Sequence, residues 1–430
     1  MPAINSGDTA WVLVSSALVL LMTPGLAFFY GGMVRVKSVL NMMMMSFAAI
    51  SVVSVLWVLY GFSLTFGNSG SQWIGTFSLS GLTDTINSVT ANGAYYPIPT
   101  LVFAAFQLMF AIITPALISG AIADRAKFTT WVVFVAIWVT VVYFPVAHWV
   151  FDFGDTDTTG AGWLAGQGVL DFAGGTAVHI NAGAAGLALA LVLGKRVGFK
   201  KEPMRPHSLP LVLLGSGLLW FGWFGFNAGS ALGANATAGL AFMNTQVATA
   251  AALAGWLIVE KIRDGHATSL GAASGAVAGL VAITPACAFV APWAAVVTGL
   301  IAGVLCSMAV GLKYKFNYDD SLDVVGVHLV GGLWGTISIG IFGTTQATSW
   351  GANGLLYGGG TTLLQKQALA AFSVMAFSFV VTAIIGWLLE KTIGFRISRD
   401  EEIEGIDITS HAESAYELDS RASGSFVGTH

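Results

Sequence analysis

Charge is what this sequence has least of. Only 9% of its 430 residues are Asp, Glu, Lys or Arg, against about a quarter in a typical soluble domain. Residues 206–259 and 265–312 contain none at all. Water cannot solvate such a chain, which excludes a soluble globular enzyme and leaves no expected nucleic-acid partner. Cysteine is nearly absent too. Cys287 and Cys306 lie in or beside apolar stretches and read as two small buried hydrophobes, with a disulfide left open. The N-terminal Met1-Pro-Ala-Ile-Asn-Ser-Gly-Asp8 lacks the basic region of a cleaved signal peptide, so the first apolar run reads as a retained span. There is no HExxH or Cys/His cluster to hold a metal, and no long polar stretch resembles a catalytic domain.

What is present is apolar sequence, 55% of the chain, cut by turn residues. Each charge-free run holds two spans of roughly 20 residues, separated at Gly233-Ala-Asn-Ala-Thr-Ala-Gly239 and around 290–293. Read in this way, the chain is expected to be an all-α polytopic membrane protein with eleven transmembrane helices. They fall near 9–33, 38–64, 98–123, 128–150, 171–193, 208–231, 240–260, 268–289, 292–312, 324–345 and 367–390. A transport domain over 1–393 precedes an acidic cytoplasmic tail over 394–430. Of the 18 lysines and arginines, only Lys366 falls in a loop after an even-numbered span. The positive-inside rule therefore predicts an outer N-terminus and a cytoplasmic tail.

Two histidines stand in this background in echoing frames. Asp171-Phe-Ala-Gly-Gly-Thr-Ala-Val-His179-Ile-Asn-Ala-Gly183-Ala-Ala-Gly186 and Asp323-Val-Val-Gly-Val-His328-Leu-Val-Gly-Gly332-Leu-Trp-Gly335 share Val-His-x3-Gly-x2-Gly. Ionisable groups inside a span are costly and point to a site or pathway. His179 falls in span five and His328 in span ten. That spacing predicts two five-helix halves, about 9–193 and 208–345, inverted relative to each other and followed by a final helix at 367–390. Ile113-Thr-Pro-Ala116 and Ile283-Thr-Pro-Ala286 echo each other in spans three and eight. Inverted repeats place a site near the bilayer midplane, at their interface. Most of the 53 glycines need only serve tight packing. Those just past the histidines are expected to thin the wall so that both imidazoles face one lumen.

The chemistry these residues permit is narrow. Two neutral imidazoles can share one hydrogen bond. Desolvation disfavours the protonated ring in an apolar lumen, so the pair is expected to be uncharged. It can still take up a proton transiently or donate an N–H to a small neutral molecule. The plainer alternative is that each ring bonds a neighbouring carbonyl. Asp171 opens span five, where a carboxylate can cap the helix and make the outer mouth negative. Asp323, after Asp319 and Asp320, is expected to cap span ten at the inner mouth. Phe106 and Phe110 lie one turn apart in span three; Trp220, Phe221, Trp223, Phe224 and Phe226 crowd span six ahead of Asn227 and Ser230. Aromatic faces attract cations by roughly 0.5–2 kcal/mol, and the Ser230 hydroxyl adds an acceptor, although most of these rings need only pack.

The longer motifs carry a resemblance. Asp171-Phe-Ala-Gly-Gly-Thr-x-Val-His179-Ile-Asn-Ala182, Gly222-Trp-Phe-Gly-Phe226-Asn-Ala-Gly-Ser230 and Asp323-Val-x-Gly-Val-His328 are similar to the ammonium transporter family (Amt/Mep/Rh), bacterial Amt branch. So are Gly194-Lys-Arg-Val-Gly-Phe199 and Glu404-Gly-Ile-Asp407-x-x-Ser-His411-x-Glu413-x-Ala-Tyr416, and the likeness runs from about residue 7 to 418. It implies a homotrimer in the bilayer with one pore per protomer for ammonium or ammonia, with methylammonium as an analogue. It implies recruitment at Phe106, Phe110 and Ser230 supported by Asp171, a gate of Phe110 and Phe226, and a pore lined by His179 and His328. The family motif around His148 continues to a tryptophan that completes the recruitment cage. This chain reads His148-Trp-Val-Phe151, so Phe151, a weaker cation acceptor, stands there. The resemblance further implies that the tail docks on neighbouring protomers and that a PII-type regulatory protein plugs the cytoplasmic mouth. By composition alone the tail is an acidic, solvated end. No cofactor is implied.

Elementary physics agrees with the resemblance. Ammonium and potassium are similar in size, so an ordinary charged pore would admit both. An apolar conduit charges either ion a dehydration cost of about tens of kcal/mol in the Born limit, and only ammonium can avoid it by giving up a proton. Other classes fit less of the sequence. A membrane metalloenzyme using the histidines and aspartates would need Asp171 and Asp323 together, yet they begin their spans at opposite faces. A sensor that detects ammonium would have to signal through a cytoplasmic partner. A carbon dioxide channel is a minor variant within the wider family.

Overall fold

Backbone N–H and C=O groups in hydrocarbon must bond to one another, which restricts a spanning chain to helices or closed barrels. The computed structural model describes residues 4–67, 71–89, 96–154 and 160–416, and among them the chain is all helical, with isolated bridges but no strand. Ten helices among the described residues are long and apolar enough to cross a membrane: Ser6–Met33, Val36–Phe66, Thr100–Ile122, Phe128–Phe151, Gly175–Leu193, Leu209–Gly229, Ala236–Asp264, Pro292–Phe316, Val325–Phe342 and Thr362–Thr392. Another apolar helix, Ser269–Ile283, stands where span eight is expected but has only 15 residues. It ends just before Pro285, whereas Thr100–Ile122 runs on through Pro115 of the matching Ile-Thr-Pro-Ala segment. Side-chain caps fix several starts: Asn5, Ser208, Asn235 and Thr268 each accept from the N–H three residues on.

The two histidine helices form the centre. In Gly175–Leu193 and Val325–Phe342, 83% and 72% of the apolar window is buried, against 33% for Val36–Phe66 and for Thr362–Thr392. The outer helices expose Val55, Leu59, Phe372, Val380 and Ile384 instead. Such an apolar exterior suits lipid and would be insoluble in water. Cys287 and Cys306 are buried free thiols, as two small hydrophobes would be.

Charge collects at one end of the bundle. Arg196 donates to Asp319 at 2.8 Å and to Asp124 at 3.1 Å, Arg35 reaches Asp124 at 3.2 Å, and the buried Arg125 donates to Ser321 and to the Asp319 carbonyl. Burial alone would push the Asp319 carboxyl up, but Arg196 and Arg125 hold it below its ordinary range.

The tail departs from a purely solvated end. Ser398 and Glu401 form a capping box on Arg399–Glu404. Asp407 accepts from Leu40 N at 2.9 Å and Asn41 N at 2.8 Å, and so caps the start of span two. Glu402 accepts from Val197 N and Arg396, and Tyr416 meets His207 at 3.0 Å. The reason is physical: a helix start leaves N–H groups without acceptors, and the tail's acids supply them. Residues 417–430, with Arg421, lie outside the described part of the tail.

Candidate functional site

The site is built where the two histidine helices cross. Each histidine lies in a π-helical turn, Gly175–Ile180 and Val325–Leu329, at the head of its helix. Such turns are rare and concentrate at functional positions. The crossing depends on one glycine from each frame. A Cβ on Gly183 would lie 2.5 Å from the Leu329 nitrogen, and one on Gly332 would lie 3.1 Å from the His179 Cβ. Each glycine follows its own histidine by one turn and lets the other histidine's backbone approach. The shared Val-His-x3-Gly frame is therefore a reciprocal packing device.

That approach puts His328 Nδ1 and His179 Nδ1 3.3 Å apart, with ring centroids at 5.4 Å and planes 20° apart. One Nδ1 must carry the proton that the other accepts, so the two tautomers are linked. His179 Nε2 is buried and has no hydrogen-bond partner among the described residues. Trp223 stacks on the other side of His179 at 5.4 Å, its indole N–H fixed on Thr284 Oγ1 at 2.8 Å. The rings then continue in a line: His179 to Phe226 at 6.1 Å, Phe226 to Phe110 at 4.3 Å, and Phe110 to Phe106 at 5.0 Å, edge on. Phe226 and both histidines line a void with about 10 Å³ for the centre of a water-sized molecule. Its walls include Leu26, Ile113, Leu219 and Val277, and no charged side chain lines it.

Of the residues expected at the site, His179, His328, Phe110, Phe226 and Phe106 are thus brought together. Ser230 lies one turn beyond Phe226 on the same helix end and donates to the Phe226 carbonyl at 2.8 Å, which leaves its oxygen lone pairs as acceptors. Phe151 ends the Phe128–Phe151 helix, buried, and makes no ring contact with Phe106 or Phe110 among the described residues. Asp171 is buried and turned inward. Its carboxylate accepts from Gly174 N, Gly175 N, Thr176 N and the Thr176 hydroxyl, and so holds the turn that carries His179.

One expectation is corrected. The cap on span ten is Asp320, which accepts from Val324 N at 3.1 Å and Val325 N at 2.7 Å. Asp323 instead pairs with Lys313 at 2.7 Å from a left-handed backbone, φ 65°. The Asp323 carbonyl still accepts from Val327 N at 2.9 Å at the head of the helix, but its carboxylate is drawn to Lys313 instead of to the helix N–H groups. The signal was available: Asp320 precedes His328 by the same interval as Asp171 precedes His179. Trp223, although noted among the span-six aromatics, carried no sign that it backs His179.

The comparisons with known proteins agree over nearly the whole chain. The model of the Ammonium Transporter Family matches residues 10–416. An ammonium transporter of Mycobacterium tuberculosis is 56% identical, covering 98% of this chain and 92% of its own. Ammonium transporter Amt1 of Archaeoglobus fulgidus is 44% identical over 96% of this chain and 100% of its own. Among solved structures, Candida albicans Mep2 superposes with a TM-score of 0.85 at 35% identity, over 93% of this chain and 88% of that one. A protein described as Sensor Amt Protein gives 0.86 at 29% identity, over 94% and 98%. With an apolar multi-pass bundle, two facing histidines at its centre and relatives matched almost end to end, this chain belongs to the ammonium transporter family.

Proposed function

We propose that this protein recruits ammonium at its outer mouth, releases a proton there, and conducts ammonia past His179 and His328. The observation that carries this reading is the void lined by Phe226 and both imidazoles, wide enough for one water-sized molecule and with no countercharge among its lining residues. An ion inside it would lose its hydration with nothing to replace it, a penalty on the order of tens of kcal/mol for an isolated charge. Ammonia loses far less and finds an imidazole nitrogen as partner. The step is NH4+ to NH3 plus H+: one N–H bond breaks, its electron pair stays on nitrogen, and the proton passes to outer water or to the imidazole pair.

In this reading Phe106 and Phe110 hold the cation by their faces and Ser230 by an oxygen lone pair. Phe110 and Phe226 must part for each passage, since their centroids are 4.3 Å apart. Asp171 supports recruitment by ordering the turn rather than by touching the cation. Phe151, in place of the family's tryptophan, lowers the outer-site affinity. Asp323, ion-paired to Lys313, marks the inner mouth. The same family membership supports eleven spans in two inverted halves (about 9–193 and 208–345), a 1–393 transport domain and a 394–430 regulatory tail. It also supports an outer N-terminus in the plasma membrane, a homotrimer, and a PII-type partner at the cytoplasmic face.

The test is current and methylammonium uptake measured together in proteoliposomes carrying the wild type, His179→Ala and Phe226→Ala. Transport is expected to fall at least tenfold, or selectivity against potassium to collapse, in each variant. Unchanged flux and selectivity in both would remove the reading. A second reading, an ammonium sensor acting through a cytoplasmic partner, draws support from the likeness to the protein described as Sensor Amt Protein. A sensor would bind ammonium yet leave vesicle pH unchanged.

A further inference from the structure

The final helix, Thr362–Thr392, supplies none of the residues that line the void at the histidines. Its buried face is nevertheless apolar or small except at Gln367, Ser378 and Thr382, each of them fully buried. A carboxamide among helices in hydrocarbon is costly unless its donors and acceptor find partners. Gln367 finds them all on other helices. Its Oε1 accepts from the Leu170 N–H at 2.9 Å, and its Nε2 donates to the Leu170 carbonyl at 2.6 Å and to the Thr336 carbonyl at 3.2 Å. Both amide hydrogens are thereby committed, and the side chain pairs with Leu170 as one stretch of backbone pairs with another.

Those partners belong to the two segments whose crossing brings the imidazoles together. Leu170 immediately precedes Asp171, whose carboxylate holds the turn that carries His179. Thr336 lies one turn past Gly332, the glycine that receives the His179 Cβ at 3.1 Å. One side chain thus grips both walls of the crossing. Ser378 adds a second hold, donating to the Asn181 carbonyl at 2.8 Å, two residues beyond His179. The His179 segment is bonded to the final helix on either side of its imidazole, and the His328 segment is bonded to it through Gln367.

We propose that Gln367 is a positioning residue for selectivity: it fixes the separation of the two histidine segments and so keeps the passage between them dry. The assignment rests on ammonia conduction past His179 and His328. The rings meet at 3.3 Å while Leu170 and Thr336 are held to one carboxamide. Releasing that hold loosens the crossing and admits water beside the rings. A wetted gap passes potassium, whereas a dry apolar one imposes the full dehydration cost.

The test uses the full-length protein in proteoliposomes, with potassium and methylammonium permeabilities measured on the same preparation. Gln367→Met keeps the length of the side chain and removes the carboxamide. Misplacement on the order of 1 Å can change a rate about a hundredfold, so the potassium-to-methylammonium ratio is expected to rise about tenfold or more. The methylammonium KM, set at Phe106, Phe110 and Ser230, is expected to move less than about threefold. A merely structural loss lowers both fluxes together and leaves their ratio alone. Gln367→Glu keeps the acceptor for the Leu170 N–H but turns a charged oxygen on two carbonyls, and protonation restores one donor. Its ratio is expected to be raised at about pH 8 and to return toward that of the wild type at about pH 5, each compared with the wild type at the same pH. A wild-type ratio in the folded Met variant, or a Glu variant whose ratio ignores pH, would overturn the assignment and leave the transport reading standing. Potassium passing the wild type as readily as methylammonium would bring down both.

Discussion

The two histidine segments use one device in two different electrostatic settings. Asp171 and Asp320 stand at the same interval before His179 and His328, and each caps the turn that carries its histidine. Asp171 takes all its bonds from its own turn, including the Thr176 hydroxyl, and has no ion-pair partner among the described residues. Asp320 takes two N–H bonds and shares its surroundings with Asp323 and Lys313. Burial pushes its carboxyl up to about 6, Lys313 opposes the rise, and Asp323 adds to it. The first segment is thus held by hydrogen bonds alone, while the second sits where protonation alters the balance. Repeating a local frame repeats its geometry without repeating its charge.

The strongest way to break this comparison is to remove each carboxylate. Asp171→Ala leaves at least three buried N–H groups without acceptors, at about 1–3 kcal/mol each before relaxation. It is expected to cost about 3–5 kcal/mol in thermal unfolding and to abolish flux by displacing His179. Asp320→Ala should cost about half as much, and equal losses would show the two caps to be equivalent.

The next effect is pH. The folded-state value of Asp320 lies above its ordinary 3.8, so the folded protein holds that proton more tightly. Its stabilising contribution is complete below pH 4 and is lost as pH rises through about 6. At about 1.4 kcal/mol per pH unit, the wild type is expected to lose about 2–3 kcal/mol across that window, read from melting temperatures at graded pH. Asp320→Asn should flatten the profile, and a wild-type profile already flat would remove the distinction between the halves.

The smallest effect sharpens the packing side. Gly183→Ala drives a Cβ to 2.5 Å from backbone, which cannot yield, and is expected to cost about 1–2 kcal/mol. Gly332→Ala meets the His179 Cβ at 3.1 Å and is expected to fall within about 1 kcal/mol of zero, since a slight shift and a gain in helix propensity offset each other. Melting temperatures of the pair, alongside the His179→Ala flux measurement, tell whether the crossing is as asymmetric as the distances imply.

Much of this was legible beforehand because hydrocarbon leaves a chain few choices. Charge-free runs and turn clusters placed the helices to within a few residues, and Ser269–Ile283 is shorter than the span expected there. The echo around His179 and His328 pointed to a single site. Less legible were contacts between segments distant in sequence: Trp223 against His179, Asp407 on the start of span two, and Asp320 in the role expected of Asp323. Phe151 was placed with Phe106 by analogy of motif, and no ring contact joins them among the described residues.

By itself the sequence determined that the chain lies in lipid as helices, that its basic residues favour one side, and that two histidines occupy equivalent positions. Those outcomes follow from solvation and short-range periodicity, which each segment carries alone. The tertiary structure decided the rest: the 3.3 Å between the rings, the line of aromatics leading to them, and which aspartate meets which N–H. These depend on how closely two helices approach and how a turn is wound, quantities fixed only when glycine and side chain from different spans meet.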